Sequence, residues 1–366
     1  MRTRQLLIAV GCLVLGVGLL VNPQDMAAGV EAGIRVGGEV LIPALFPFMA
    51  LSSFMVMSGA AGILSAPLMP ITRYVFRLPQ EYGAVVLASL IGGYPVGGKM
   101  IATLLEGGSL DRPTAERMLS FCYGPSPSFI VTAVGAGMLL DIRLGGILFA
   151  AQIVASLIVG LGFSLGKPFP AAGSGKGYPA GGLAQAFVGA VSSAGGAMIN
   201  MCAFAILFSG LLHLAQGGGV VGFISGLTST PPEMVAAVIA GLFEVTSGSA
   251  AAAAIGGETG ILLIGMFGAF GGFSVIFQVF SLFGQTRLNW KPFIVGRLAH
   301  TGLAGLMSVF FYRQFHGGSA LMEGVRPIIA QDSRGLLGSA LLILGCAGLA
   351  WLSPKAVQAK KLDIWR

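Results

Sequence analysis

Two short segments place reactive groups inside otherwise apolar sequence. The first reads Gly92-Gly93-Tyr94-Pro95-Val96-Gly97-Gly98-Lys99. Glycines let backbone amides approach a ligand closely, and a lysine in such a setting is costly without a partner. Two readings stand for it. Lys99 and the amides receive a carboxylate or phosphate, or Lys99 snorkels to the membrane surface while the glycines serve only tight packing. A nucleotide-binding loop is excluded, because Met100 follows the lysine where Ser or Thr would be needed. The second segment is Glu244-Val245-Thr246-Ser247-Gly248-Ser249. Glu244 is the one acid of its apolar stretch. It is a proton carrier, a cation ligand, a partner of Lys99, or an acceptor for local backbone.

Further polar groups follow the same pattern. Tyr123-Gly124-Pro125-Ser126-Pro127-Ser128 sets two prolines within three residues of an apolar run. Prolines remove donors and free carbonyls, and Ser126 and Ser128 add hydroxyls, so a pocket wall is expected here. Gly271, Gly272, Ser274 and Gln278 form a second such set. Asn200 lines the same cavity or bonds across helices. Glu31, Arg35 and Glu39 recur at i, i+4 and i+8 and read as an ion-pair row at the membrane surface, or as part of an exit mouth. No HExxH, nucleophile elbow or Asp dyad occurs in any apolar run, so no enzyme is expected. The four cysteines form no CxxC pair and the three histidines are scattered; no metal or other cofactor is expected.

The setting limits what these groups can do. Of 366 residues, 21 are Lys or Arg and 14 are Asp or Glu, so 10% are charged against about 25% in a soluble domain. With 55% apolar residues and a mean hydropathy of +0.87, no soluble fold could cover its surface. Soluble enzymes and nucleic-acid binders are excluded, and the 58 glycines show no Gly-x-y period. The composition predicts an all-α polytopic membrane protein in a lipid bilayer.

A spanning helix needs about 20 apolar residues. Spans are predicted at 6–21, 36–59, 118–140, 144–165, 183–214, 261–283, 292–312 and 336–352. Stretches 82–105 and 234–256 are interrupted midway and read as re-entrant hairpins. With both hairpins entering and leaving on one side, fifteen Lys and Arg, Arg297 among them, fall on one face. Only Arg35, Arg143, Arg313, Arg326 and Arg334 fall on the other. The positive-inside rule then puts both termini in the cytoplasm of a multi-pass cell-membrane protein. Arg2 and Arg4 before a 16-residue apolar run leave a cleaved signal sequence as the alternative for the first span.

The chain also resembles itself. Residues 30–42 align without gaps on 188–200, 84–97 on 237–250, and 121–130 on 267–276, in the same order. The charge map gives the two halves opposite orientation. Inverted repeats with broken helices in matching places mark secondary transporters with a midplane site. The organisation expected is an N-terminal transmembrane helix (1–27), a first repeat (28–166), a cytoplasmic linker (167–182) and a second, inverted repeat (183–315). An external loop, a last span and a basic tail (316–366) complete it.

LIPALFPFMALSSF, GGYPVGGK, RMLSFCYGPSPSFI and FEVTSGS make the chain resemble the YlbJ family of sporulation integral membrane proteins over residues 28–315. The resemblance implies a nucleoside-recognition gate fold related to concentrative nucleoside transporters. It also implies a transporter of spore-forming Firmicutes that moves dipicolinic acid from the mother cell across the outer forespore membrane. Dipicolinate is a planar dianion whose carboxylates both need donors. Nucleoside carriers of this architecture place acidic and amide side chains in both hairpins, and the first hairpin tip here has neither. The expected partner is therefore a small organic anion bound at the residues named above; a homo-oligomer is left open. Two other readings stand: a nucleoside or nucleobase carrier, and a non-transporting assembly factor in spore envelope formation.

Overall fold

The computed structural model describes residues 2–170, 182–284, 286 and 288–315. The expected span at 336–352, the rest of 316–366 and most of the linker lie outside them. Every regular element among the described residues is a helix. α1 (Arg2–Val21) is followed by α2 (Pro23–Arg35). Pro23 suits a first turn because its fixed φ and missing N–H cost nothing there. α2 passes through wide π-type turns at Val36–Leu41 into α3 (Ile42–Met57), and α4 (Ala60–Ser65) is short. Then come α5 (Gly83–Gly92), α6 (Tyr94–Glu106), α7 (Arg112–Leu119), a π-type helix Ser128–Met138 and α8 (Ile142–Ser164). The second half holds α9 (Leu183–Gly217), α10 (Val220–Thr228), α11 (Pro232–Phe243) and α12 (Val245–Ile255). It continues with α13 (Gly257–Phe270), α14 (Gly272–Leu282) and α15 (Lys291–Phe315).

Among the described residues four helices are long and apolar enough to cross a bilayer: α8, α9, the α13–α14 pair and α15. Counting each sharply bent helix pair as one span raises this to six. α9, at 35 residues, is about 50 Å long at 1.5 Å per residue, well beyond the about 30 Å of a hydrocarbon core. Leu20, Phe187, Ile199, Leu298 and Leu306 are all more than half exposed, an outward apolar surface suited to lipid. The chain is an all-α polytopic membrane protein.

Small residues decide where helices cross. On α2, Gly29 and Gly33 share a face, and a Cβ on either would stand within 2.7 Å of backbone atoms of Gly210 or Ile206 on α9. Such spacing lets two helix backbones touch in lipid. The stretches at 82–105 and 234–256 each fold back on themselves. Gly97 of α6 meets Ser89 of α5, and Gly248 of α12 meets Gly241 of α11, positions nearly symmetric about the breaks at Gly93 and Glu244. Gly93 has φ +82°, a conformation open to glycine.

Charged groups meet in small clusters. Arg77 Nη1 donates to Lys167 O (2.6 Å), Arg117 Nη2 to Arg77 O (2.8 Å), and Asn289 N to Glu116 Oε1 (2.7 Å). Elsewhere Arg313 pairs with Glu258 at 2.5 Å.

Three expectations need correction. Arg297 is no surface charge: it is 1% exposed inside the bundle, because backbone carbonyls rather than water solvate it. The repeat alignment of 84–97 on 237–250 sets Gly93 over Thr246, whereas the second break falls at Glu244. The acid, not the glycine-like position, ends the helix, since its side chain caps the next one. The row of Glu31, Arg35 and Glu39 is only a pair: Arg35 meets Glu31 at 3.2 Å, while the π-type turns after Arg35 rotate Glu39 to the cavity described next.

Candidate functional site

The four helix breaks meet. Gly93, between α5 and α6, lies so close to Ser126 that a Cβ would stand 3.0 Å from the Ser126 nitrogen. Gly272, opening α14, stands in the same relation to Phe243 O and Glu244 N at the second hairpin turn (3.0 and 3.1 Å). A Cβ on Gly271 would come within 2.7 Å of the Tyr123 hydroxyl and 3.4 Å of the Tyr94 ring. Each hairpin turn thus packs on the broken element of its own half, and the halves touch through Gly271.

Around this meeting point lies a cavity of about 370 Å³, within the about 300–1,000 Å³ usual for small-ligand sites. Its wall takes Gly93, Tyr94 and Pro95 from the start of α6, and Ser126, Ser128 and Phe129 from the start of the Ser128–Met138 helix. Glu244, Val245 and Thr246 come from the start of α12, and Ser274, Val275 and Gln278 from α14. Thr132, Met201, Glu39, Leu41, Pro43 and Leu45 complete most of the remainder. Four helices therefore present their first turns to one space. Each first turn leaves N–H groups without intrahelical partners and carries about +0.5 of an elementary charge.

Local hydrogen bonds fix the wall. Ser126 Oγ accepts from Phe129 N at 3.1 Å. Glu244 Oε1 and Oε2 accept from Thr246 N (2.9 Å) and Ser247 N (2.7 Å), so the carboxylate caps α12. Gln278 Nε2 donates to Ser274 Oγ (3.1 Å) and Met201 O (3.3 Å), joining α14 to α9. The Tyr94 hydroxyl donates to Gly268 O across the two halves.

Of the residues singled out in the sequence, Gly93, Tyr94, Pro95, Ser126, Ser128, Glu244, Thr246, Ser274 and Gln278 share this wall. The others do not line it. Gly92 and Gly97 serve helix contacts with Val96 and Ser89, and Gly98 faces Leu282. Gly271 and Gly272 serve the junction, and Ser247 gives its backbone N–H to Glu244. Ser249 is fully buried with its hydroxyl unpartnered. Asn200 sits on an exposed face of α9. Lys99 is mostly buried in α6, six residues past Gly93 and so about 9 Å along the axis. The cavity wall contains two carboxylates, Glu39 and Glu244, and no Lys or Arg.

Sequence reasoning passed over a polar cluster behind this wall. Arg297 Nη1 donates to Tyr123 O (2.7 Å), Ala269 O (3.0 Å) and His300 Nδ1 (3.1 Å), and Nη2 to Ser120 O (3.0 Å). His300 Nε2 bonds Gln152 O at 3.1 Å. Because the guanidinium only donates, Nδ1 accepts and Nε2 carries the proton. The guanidinium carbon lies 4.3 Å from the Tyr123 ring centre, and Tyr123 packs on Tyr94, which lines the cavity. Three polar residues inside apolar spans were the available clue.

The chain is 28% identical over 347 residues to the sporulation integral membrane protein YlbJ of Bacillus subtilis (strain 168), a match covering 85% of this chain and 83% of that one. The match supports assignment to the YlbJ family. No protein-family model and no solved structure matches the chain.

Proposed function

We propose that this member of the YlbJ family is a secondary transporter that carries a small organic anion through the membrane by alternating access. Dipicolinate, passed from mother cell toward forespore during sporulation, is the substrate that fits best. The observation carrying this reading is the convergence of four helix first turns on one cavity. Together the four ends carry about +2 elementary charges, which offsets the carboxylates of Glu39 and Glu244 in the same wall and leaves first-turn amides as the donors for an anion. Glu244 takes one of these positive ends for itself, leaving three open to the two carboxylates of the ligand. The apolar remainder of the wall, Phe129, Val275 and Met201 among it, suits a flat aromatic ring.

In this reading the two halves are inverted repeats, the stretches Gly83–Glu106 and Pro232–Ile255 are re-entrant hairpins, and the end marked by Arg77, Arg117 and Lys167 is cytoplasmic. Alternate exposure then follows if the hairpins and broken helices rock about their common junction. Irregular backbone at this depth is tolerated because protein or the cavity covers it.

Thermal unfolding of the purified protein in detergent tests the substrate class. A ligand at 100 times its dissociation constant stabilises by about 2.7 kcal/mol. Millimolar dipicolinate and phthalate are expected to raise the melting temperature and uridine to leave it unchanged. The second reading, a nucleoside carrier, draws support from Glu244 and Gln278, an acid and an amide in one wall. A shift with uridine alone would establish that reading in place of the first, and silence with every ligand would return weight to an assembly role.

A further inference from the structure

At two of the four breaks the preceding helix ends, those of α7 and α13, converge on Arg297. Ser120 is the C-cap of α7, Tyr123 lies three residues beyond it, and Ala269 is in the last turn of α13. Their carbonyls accept from the guanidinium at 2.7–3.0 Å. A helix C-terminus carries about −0.5 of an elementary charge, so the two ends together offer about −1 to a group of charge +1. Neither Arg35–Glu31 nor Arg313–Glu258, the ion pairs seen among the described residues, involves Arg297; its guanidinium is held by backbone carbonyls and the His300 Nδ1 lone pair. The ring faces of Tyr123 and Phe293 complete its surroundings.

Carbonyls at the ends of broken helices are what cation-coupled carriers use to coordinate the ion that drives them. We infer that Arg297 is a tethered cation occupying such a seat, so that the fold needs neither sodium nor potassium to hold its two broken elements together. Arg297 acts through the α7 and α13 ends and is a positioning residue. It reaches the cavity only by way of Tyr123 and Tyr94. The inference extends the carrier reading to its coupling, yet its test uses no substrate, so it can fail or stand independently of dipicolinate.

The experiment is the melting temperature of the full-length protein in detergent at constant ionic strength, in sodium, potassium or choline chloride. Wild type is expected to melt at one temperature in all three. Arg297→Ala is expected to melt several degrees lower in choline. It should recover with tens of millimolar guanidinium, and in part with sodium or potassium, because the emptied seat accepts a free cation. A purely structural arginine would give a loss that no small cation repairs. Wild type stabilised by sodium over choline would overturn the inference, and so would an Arg297→Ala protein indifferent to guanidinium, sodium and potassium. If Arg297→Ala does not fold, Arg297→Lys takes its place. It keeps the charge but not the fork geometry, and guanidinium, which cannot displace a tethered ammonium, should then give no recovery; recovery there would count against the inference. Sodium-dependent stabilisation of the wild type overturns the inference without any variant, and rescue of the variant separates it from a purely structural arginine.

Discussion

Removing the charge of Glu244 should strengthen the binding of an anion, and the size of the effect follows from the cavity. A sphere of about 370 Å³ has a radius near 4.5 Å, which puts a centred ligand charge about 7 Å from a carboxylate in the wall once van der Waals radii are added. At an effective dielectric of about 20, two unit charges at that distance repel by about 2 kcal/mol, or roughly 30-fold in affinity. Glu244→Gln keeps one acceptor for Thr246 N or Ser247 N, so α12 retains part of its cap. Losing the other bond costs stability of the order of a lost N-cap, about 1 kcal/mol. Binding of dipicolinate measured by calorimetry should therefore tighten by about 10- to 100-fold while the unliganded protein melts slightly lower. The nucleoside reading demands the opposite sign, because there the carboxylate would accept from ligand hydroxyls. Weaker dipicolinate binding in Glu244→Gln, or an unchanged constant, would refute the electrostatic reasoning for this site.

Four further outcomes follow from the geometry. Lys99→Ala should leave dipicolinate affinity within about twofold, under 0.5 kcal/mol, since Lys99 is absent from the cavity wall; titration of the variant checks it. Gly248→Ala would place a Cβ 2.2 Å from Gly241 Cα, backbone against backbone, and should cost at least the about 1–3 kcal/mol of an overpacked core. Gly195→Ala, with nothing within 4 Å, should be neutral or stabilising on the same thermal assay. Tyr94→Phe removes the bond to Gly268 O while keeping the ring, and should destabilise by about 1 kcal/mol, read as a lower melting temperature.

What the sequence made legible were the interruptions. Gly93, Glu244 and the Gly271-Gly272 pair stand out because an apolar helix has no use for such residues at its midpoint, and each does end a helix. Helices α8, α9 and α15 were legible for the same reason reversed, as long apolar runs. Which side of a helix faces the cavity was not legible. Lys99 and Asn200 lie in the expected elements, but facing depends on how α6 and α9 are rotated against neighbours, and an all-round apolar helix carries no stripe to fix that rotation. The partners of Arg297 were hidden for a different reason. They are main-chain carbonyls, present in every residue, and only the three-dimensional path of the chain singles out Ser120, Tyr123 and Ala269.

That asymmetry explains why charged side chains proved a poor guide to charge in this protein. An unbroken spanning helix hides its dipole ends at the two membrane surfaces, where water screens them. A broken one exposes an N-terminus and a C-terminus at the break itself, in surroundings of low dielectric where each is felt more strongly. Two broken elements and two hairpin turns meet here, packed through Gly93, Gly271 and Gly272. Starts of α6, Ser128–Met138, α12 and α14 face the cavity, whereas the ends of α7 and α13 face Arg297. On the proposed reading the helix starts draw an anion without a basic side chain, and the ends of α7 and α13 hold the cationic Arg297. A lysine in the first hairpin and an arginine in the last described helix look alike in sequence, yet only the arginine lies where the backbone has made a seat for it.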